Sequence, residues 1–434
     1  MGFIGKISKE QIIRDFGSHV SSGKVDFYQL AGLDFVIGRR KGPWIWDTGI
    51  SNQESNGAKL LNCHCNGGVF NLGHRHPDVL KALIDAAQEL DIGNHHLISE
   101  QRAILAKKLV GLTPQEITRV VFGVGGGEAI DFAIKLARAQ NPAKHKIIFA
   151  KGGYHGHTGL ALAAGADQFK APFEPLAPGF VSVPFSDVAA LEQAIDDQTA
   201  AVLLETIPAT LGMPIPSDNY YPKIREICDK KDVLLILDEI QTGLGRTGKL
   251  WAFEHYKIVP DIICIAKGLS GGLYPISATL YREDLDHFCR ENPFIHVSTF
   301  GGAELGCPVA IKVLEILTEP SFLEGVNQIA TELRIGLESL REEFSEIMLD
   351  IRQLGLFIGL KMRDAGHGPV LSLALARNEV FAVWADNDRS VLQLLPPLIL
   401  EKPEITFLLE RLKRAFIWVR EHPEYLELTQ QLIA

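Results

Sequence analysis

The chain has no apolar run near the roughly 18 residues that a membrane helix needs, so no membrane span is expected. Its first residues, MGFIGKISKEQIIRDFG, scatter charge throughout and lack the apolar core of a secretory signal. Cysteine is sparse. Cys63, Cys65, Cys228, Cys264, Cys289 and Cys307 show no disulfide-framework spacing, which favours a reducing compartment and makes the cytoplasm the expected location. Cys63-His64-Cys65 is the one metal-like cluster. Zinc sites space their first pair as C-x2–4-C and add a second pair. None follows here, so no metal is expected. Positive charge is also short: 43 Lys and Arg stand against 53 Asp and Glu, a formal net charge of −10. That balance argues against nucleic acid and anionic membranes as partners. It also means that an anionic cofactor would need a local cationic or dipolar cradle.

No internal repeat or low-complexity tract interrupts the 434 residues, and the composition is that of an ordinary soluble globular chain. The length suggests two or three domains. Seven short apolar runs punctuate the middle: 120–122, 146–150, 180–183, 201–204, 233–237, 262–266 and 276–280. Near-continuous apolar runs between helical patterns mark strands buried on both faces. An α/β fold with a mostly parallel seven-stranded sheet between helices follows. Helices are expected over Glu128–Gln140, with Ile130, Ala133, Ile134 and Ala137 on one face, and over Tyr221–Lys231. The block before about residue 75 reads as loop-rich, with a possible initial helix. The block after about residue 320 turns to amphipathic helices such as Ile329–Phe344, then a strand-like run, Gly355–Lys361. The expected division is a large domain over 76–318 and a smaller α+β domain built from 1–75 and 319–434.

The chemistry-bearing residues follow the strands, where open α/β sheets bind ligands. The first run leads into Gly123-Val124-Gly125-Gly126-Gly127-Glu128 and a helix, a geometry that turns backbone N–H groups toward an anion. A dinucleotide fingerprint would need glycine where Glu128 stands, so one phosphate fits better than a dinucleotide. Asp238 closes its strand. An unpaired carboxylate there is costly, and a protonated pyridine nitrogen would partner it; a loop-capping acid is the plainer reading of this residue alone. Lys267 closes another strand, and a buried amine there could condense with an aldehyde. Taken singly, it reads equally as a lysine reaching water. Tyr154 could stack on a ring or sit in the core. His155 and His157 could line a polar site or act as acid and base. Thr299 offers a hydroxyl beside flexible glycines, for a phosphate or merely within a turn.

Together these segments resemble the class III aminotransferases, pyridoxal 5′-phosphate (PLP) enzymes of fold type I. The likeness runs from about Trp44 to about Pro397 and is most specific in LLILDEIQTGLGRTGKLWAFEHYKIVPDIICIAKGLSGGLYPISA, residues 234–278. NLGHRHP, GGGEAIDFAIKLAR, GGYHGHTG and HVSTFGG occur in family order. The resemblance implies that Lys267 is the Schiff-base lysine and proton shuttle. It implies that Asp238 pairs with the pyridinium nitrogen, Gln241 contacts the phenolic oxygen and Tyr154 stacks on the ring. His155 and Glu205 would line the cofactor site. Gly126 and Gly127 would lie on the phosphate loop, with Gly125 and Gly127 standing where the family usually has Ser or Thr, so that backbone holds the phosphate. Thr299 would reach the phosphate of a neighbouring subunit, which implies a homodimer with shared active sites.

The departures concern substrate. Family members that use glutamate or 2-oxoglutarate carry an arginine where His157 stands, and a second one where Gln393 stands. Glu205 corresponds to a carboxylate that masks that second arginine. Losing two charge-assisted contacts of about 1.5–3 kcal/mol each disfavours dicarboxylates. Arg246, Arg352 and Arg389 are the candidates to replace them in space. Gly67, at another specificity position, suggests room for a bulky substrate. The expected partners are a small-molecule amine and a keto acid, pyruvate rather than 2-oxoglutarate. An amino-acid racemase or a decarboxylating transaminase would use the same residues. A dinucleotide-dependent oxidoreductase is the remote alternative.

Overall fold

A computed structural model of the chain describes residues 7–30, 33–48 and 58–426. Residues 1–6 of the N-terminal stretch and residues 427–434 of the C-terminal block lie outside the described residues. All seven apolar runs form strands of one sheet. Its spatial order is Ile117–Gly123, Ser277–Arg282, Ile262–Ile265, Leu234–Asp238, Thr199–Glu205, Lys146–Ala150, Phe180–Val183. All are parallel except Ser277–Arg282, which runs antiparallel to both of its neighbours.

Both faces of this sheet are covered, which explains why its strands read as continuous apolar runs rather than alternating ones. On one face Ile147, Phe149, Ala201, Leu203, Ile236, Ile262 and Cys264 pack with helix Gly126–Gln140, through Ala129, Ile130, Ala133, Ile134 and Ala137. On the other, Ile148, Val202, Leu204, Leu235, Leu237, Ile263 and Ile265 join the larger core, with helices Tyr220–Lys231 and Gly306–Leu317. Side chains alternate faces along each strand, so one apolar run feeds two cores.

Among its described residues the N-terminal block begins with a helix, as expected, and carries more regular elements than its sequence suggests. It holds helices Lys9–His19 and Ser22–Leu30, then strands Ile37–Lys41, Trp44–Asp47 and Lys59–Asn62. The last of these pairs in parallel with Val380–Phe381, far along the chain. The first of these strands, Ile37–Lys41, lacks an apolar run, and its Arg39, Arg40 and Lys41 are exposed. A third sheet contains Met348–Leu354, Phe357–Met362, Asp388–Leu394 and Val383–Ala385. The strand expected at 355 begins at Phe357, because Gly355 adopts φ +57° in the turn. The helix expected from Ile329 begins earlier, at Phe322. No helix among the described residues is long and apolar enough to cross a membrane.

Candidate active site

The strand ends converge. Glu205 faces Asp238 in the parallel register, and Asp238 faces Cys264, three residues before Lys267. Lys267 opens a tight turn to Ser270 with φ +38°. For a non-glycine residue that left-handed backbone costs on the order of 1–3 kcal/mol and persists only where the surroundings hold it. Ser270 Oγ donates to the Lys267 carbonyl at 2.7 Å, and Lys267 Nζ donates to Gln241 Oε1 at 2.8 Å. Burial lowers the Lys267 pKa, while the charges of Asp238 and Glu205 pull the other way. The outcome is an amine more available in its neutral, nucleophilic form.

Asp238 is buried and held from two sides. The Ile240 N–H donates to Oδ1 at 3.0 Å, and His155 Nδ1 donates to Oδ2 at 2.8 Å. Burial alone would lower the His155 pKa; the Asp238 hydrogen bond and charge outweigh it, and the pKa is raised. His155 Nε2 is buried without a hydrogen-bond partner. Each carboxylate oxygen of Asp238 keeps acceptor capacity for a cation in the cavity. Glu205 is committed to backbone: Tyr154 N–H donates to Oε1 at 2.8 Å and Ala209 N–H to Oε2 at 3.3 Å. Burial, with the Asp238 charge adding to it and the His155 charge opposing, pushes its carboxyl up to about 7.

The glycine loop presents amides. Helix Gly126–Gln140 starts after Gly125, which provides no side-chain cap. The amides of Gly126 and Gly127 find no acceptor among the described residues. Glu128 Oε2 accepts from Val124 N–H at 2.6 Å and ties the loop back on itself, a role for the residue that breaks the dinucleotide pattern. A Cβ at Gly126 would lie 2.9 Å from Ile240 Cδ1, and one at Gly127 would collide with Thr158 Oγ1. Thr158, which the sequence reading passed over, therefore brings a hydroxyl to the side of the loop where residue 127 has none.

Two connected spaces meet at Lys267. One, of about 470 Å³, is lined by Val124–Gly127, Tyr154–Gly156, Glu205, Asp238, Gln241 and Lys267. The other, of about 960 Å³, shares Tyr154, Gln241 and Lys267 and adds Gly67, His157 and Gln393. It also adds Arg377, Trp384 and Asp386, none of which the motifs flagged. Thr299 lines neither; it is exposed in a surface turn. Gly67 adopts φ +68°, and a Cβ there would lie 3.1 Å from Lys267 Nζ. Its small size therefore serves the lysine as well as any substrate. Among the described residues Gln393 Nε2 reaches only the Trp384 carbonyl, at 3.4 Å.

The candidate replacement arginines are placed elsewhere. Arg246 is fully buried and donates to the carbonyls of Leu356 at 3.1 Å and Pro396 at 2.6 Å and to Asn71 Oδ1 at 2.6 Å. Arg352 donates to the Gly212 carbonyl at 2.5 Å and faces Asp388 at 3.5 Å. Arg389 is near enough to act on the Asp386 charge but is not on the cavity wall. Cys63 and Cys65 are buried beside Arg246, and burial raises the Cys65 thiol to about 12. Among the described residues no group of three or more His, Cys, Asp or Glu side chains could hold a metal ion.

The smaller space suits PLP chemically. Unpartnered amides at a helix N-terminus match a phosphate. The Asp238 carboxylate matches a protonated ring nitrogen, and a half-buried amine of lowered pKa matches an aldehyde.

Comparison with known proteins agrees with this chemistry. Residues 30–416 match the sequence model of the family described as Aminotransferase class-III. A protein of Archaeoglobus fulgidus, named an uncharacterized aminotransferase, is 58% identical over 433 residues, covering 100% of both chains. A putrescine aminotransferase of Pectobacterium atrosepticum is 34% identical over 417 residues, 93% of this chain and 88% of that one. Among solved structures, an ornithine aminotransferase of Toxoplasma gondii with partial PLP occupancy at its active site superposes with a TM-score of 0.83 at 28% identity. That match covers 96% of this chain and 100% of the other.

Proposed function

The chain belongs to the class III aminotransferase family, and we propose that it moves an amino group from an amine or amino acid donor to a keto acid, pyruvate in preference to 2-oxoglutarate, with Lys267 as the reacting lysine. The family is PLP-dependent. Bound PLP supplies an electron sink that takes up the charge left when a donor loses its Cα proton. The protein's own residues do the rest. Lys267 holds the cofactor covalently between turnovers and carries the proton at Nζ. Gln241 fixes that amine through its 2.8 Å hydrogen bond. Asp238, braced by His155, keeps a ring nitrogen protonated. The amides of Gly126 and Gly127 anchor a phosphate, Tyr154 covers a ring face, and Glu205 sets the Tyr154 backbone.

The observation that carries this reading is that Lys267 and Asp238 line one cavity with a glycine helix start. The acceptor preference rests on His157 and Gln393, which offer no guanidinium to a second carboxylate. Each missing contact is worth about 1.5–3 kcal/mol. Pyruvate is therefore expected to exceed 2-oxoglutarate in kcat/KM by at least about tenfold. An amine-donor panel run with both acceptors and followed in the visible absorption of the cofactor tests both statements. Efficient use of 2-oxoglutarate would overturn the acceptor assignment, and an unresponsive cofactor band would overturn transamination itself.

We also propose a homodimer with shared sites. Thr299 is exposed within a segment whose Phe294, Ile295, Val297 and Phe300 are 64%, 57%, 47% and 55% exposed. An apolar cluster of that kind favours a partner surface over water.

A further inference from the structure

We propose that Asp386 is a specificity-determining residue that receives the second, distal ammonium of a diamine donor whose first amine reacts at Lys267. This rests on the aminotransferase reading above and names its donor class. Asp386 sits at the turn between strands Val383–Ala385 and Asp388–Leu394 and lines the same cavity as Lys267. The turn is fixed from both sides of its next residue. Asn387 N–H donates to the Thr210 carbonyl at 2.9 Å, and Asn387 Nδ2 donates to the Gly152 carbonyl at 2.7 Å. The Asp386 carboxylate itself accepts no hydrogen bond from the described residues. Its side chain is exposed to solvent on the cavity wall; partial desolvation raises its pKa, and the charges of Arg389 and His157 oppose that. A cation arriving in the cavity would add to the same opposition.

Aromatic rings line part of the same cavity wall. Tyr154, His157 and Phe169 stand with ring centroids 5.1, 6.2 and 5.0 Å apart in their three pairings. Trp384, beside Asp386, is backed by Phe27 at 6.3 Å. Aromatic faces with one carboxylate are the chemistry that holds an ammonium. The positions where a family arginine would receive a carboxylate hold His157 and Gln393. Arg377 is the guanidinium on the cavity wall, and it is spread over Trp418 and Tyr425 at 5.1 and 5.6 Å. A donor ending in carboxylate would need Arg377; a donor ending in ammonium needs Asp386.

The test compares, for the holoenzyme with pyruvate, putrescine and cadaverine against butylamine and pentylamine, and adds 4-aminobutyrate. The wild type is expected to favour each diamine over its monoamine by roughly two- to fivefold in kcat/KM, the range for an ion pair to a solvent-exposed carboxylate. Asp386→Asn should collapse that ratio toward one, Asp386→Glu should restore part of it, and Asp386→Arg should invert it in favour of 4-aminobutyrate. Cofactor absorbance, read alongside, separates loss of holoenzyme from loss of donor recognition. An unchanged diamine-to-monoamine ratio in Asp386→Asn would refute the assignment. So would a wild-type preference for 4-aminobutyrate that Arg377→Gln removes. If no donor is turned over at all, the aminotransferase reading has failed. Calorimetric binding of diamine and monoamine to the wild type and Asp386→Asn then still decides the role of Asp386.

Discussion

Gly67→Ala separates two reasons for a glycine at the junction of the two spaces. If residue 67 is small only to admit a bulky substrate, the new methyl should penalise donors by size. The structure gives a different expectation. Gly67 has φ +68°, where an L-residue with a Cβ loses about 1–2 kcal/mol. The added Cβ would lie 3.1 Å from Lys267 Nζ and 3.5 Å from Gln241 Oε1, so it presses on the Lys267–Gln241 hydrogen bond. Weakening that bond costs about 1 kcal/mol more. The apoprotein should therefore melt a few degrees lower. Loss of lysine positioning should reduce kcat/KM by about fivefold, the same for small and bulky donors. The assay is a calorimetric melt of the apoprotein, the rate of PLP incorporation, and kcat/KM for donors from ethylamine to a phenylalkylamine. A loss confined to the bulky donors, with normal stability and normal incorporation, would refute the lysine argument.

Three further outcomes are expected. His155→Phe leaves Asp238 with one donor fewer; kcat should fall about ten- to a hundredfold, the worth of a hydrogen bond to a charged group. His155→Gln should recover part of that loss, and equal activity in all three proteins would remove His155 from the machinery. For pH, Glu205 and His155 both have folded-state pKa values above their ordinary ones, so folding favours their protonated forms. That stability is fully present below the unfolded values and disappears as pH rises through the folded ones, about 7 for Glu205. The apoprotein Tm should fall between about pH 5 and 8, with a shallower slope in Glu205→Gln; a rising Tm, or the same slope in the variant, would contradict this. Finally, Val297→Asp with Phe300→Asp should shift sedimentation to the monomer and lower activity together, whereas Thr299→Ala should weaken PLP binding without changing the sedimentation.

The sheet was legible because each of its strands is buried on both faces and so writes a continuous apolar run. The ends of those runs also announced Glu205, Asp238 and Lys267, since polar residues closing such strands are conspicuous. The small sheets were legible only in part: the run at 355–361 announced Phe357–Met362, but the strands it pairs with did not stand out. Val380–Phe381 is only two residues long and pairs with Leu61–Asn62 across most of the chain. The contacts that tune the site are likewise non-local. His155 meets Asp238 across 83 residues, and Arg246 reaches Pro396 across 150. No periodicity records such distances. Arg246, a candidate for a substrate carboxylate on its charge, is a buried clamp between main-chain carbonyls. Gly67 read as open space, yet it lies against the lysine amine. Asp386 belongs to no motif, and the Lys267 side of the cavity faces it only once the hairpin after Ala385 has folded against Gly152 and Thr210.

Lys267 as the lysine that holds the cofactor is open to a direct chemical test. Holoenzyme reconstituted with PLP and treated with borohydride fixes any lysine-bound cofactor in place, and peptide mapping then reads which lysine carries it. A single pyridoxyl-modified peptide with the adduct on Lys267 is expected, and none in Lys267→Ala. An adduct on another lysine, or an unmodified Lys267 in protein that has retained its visible absorption, would contradict it.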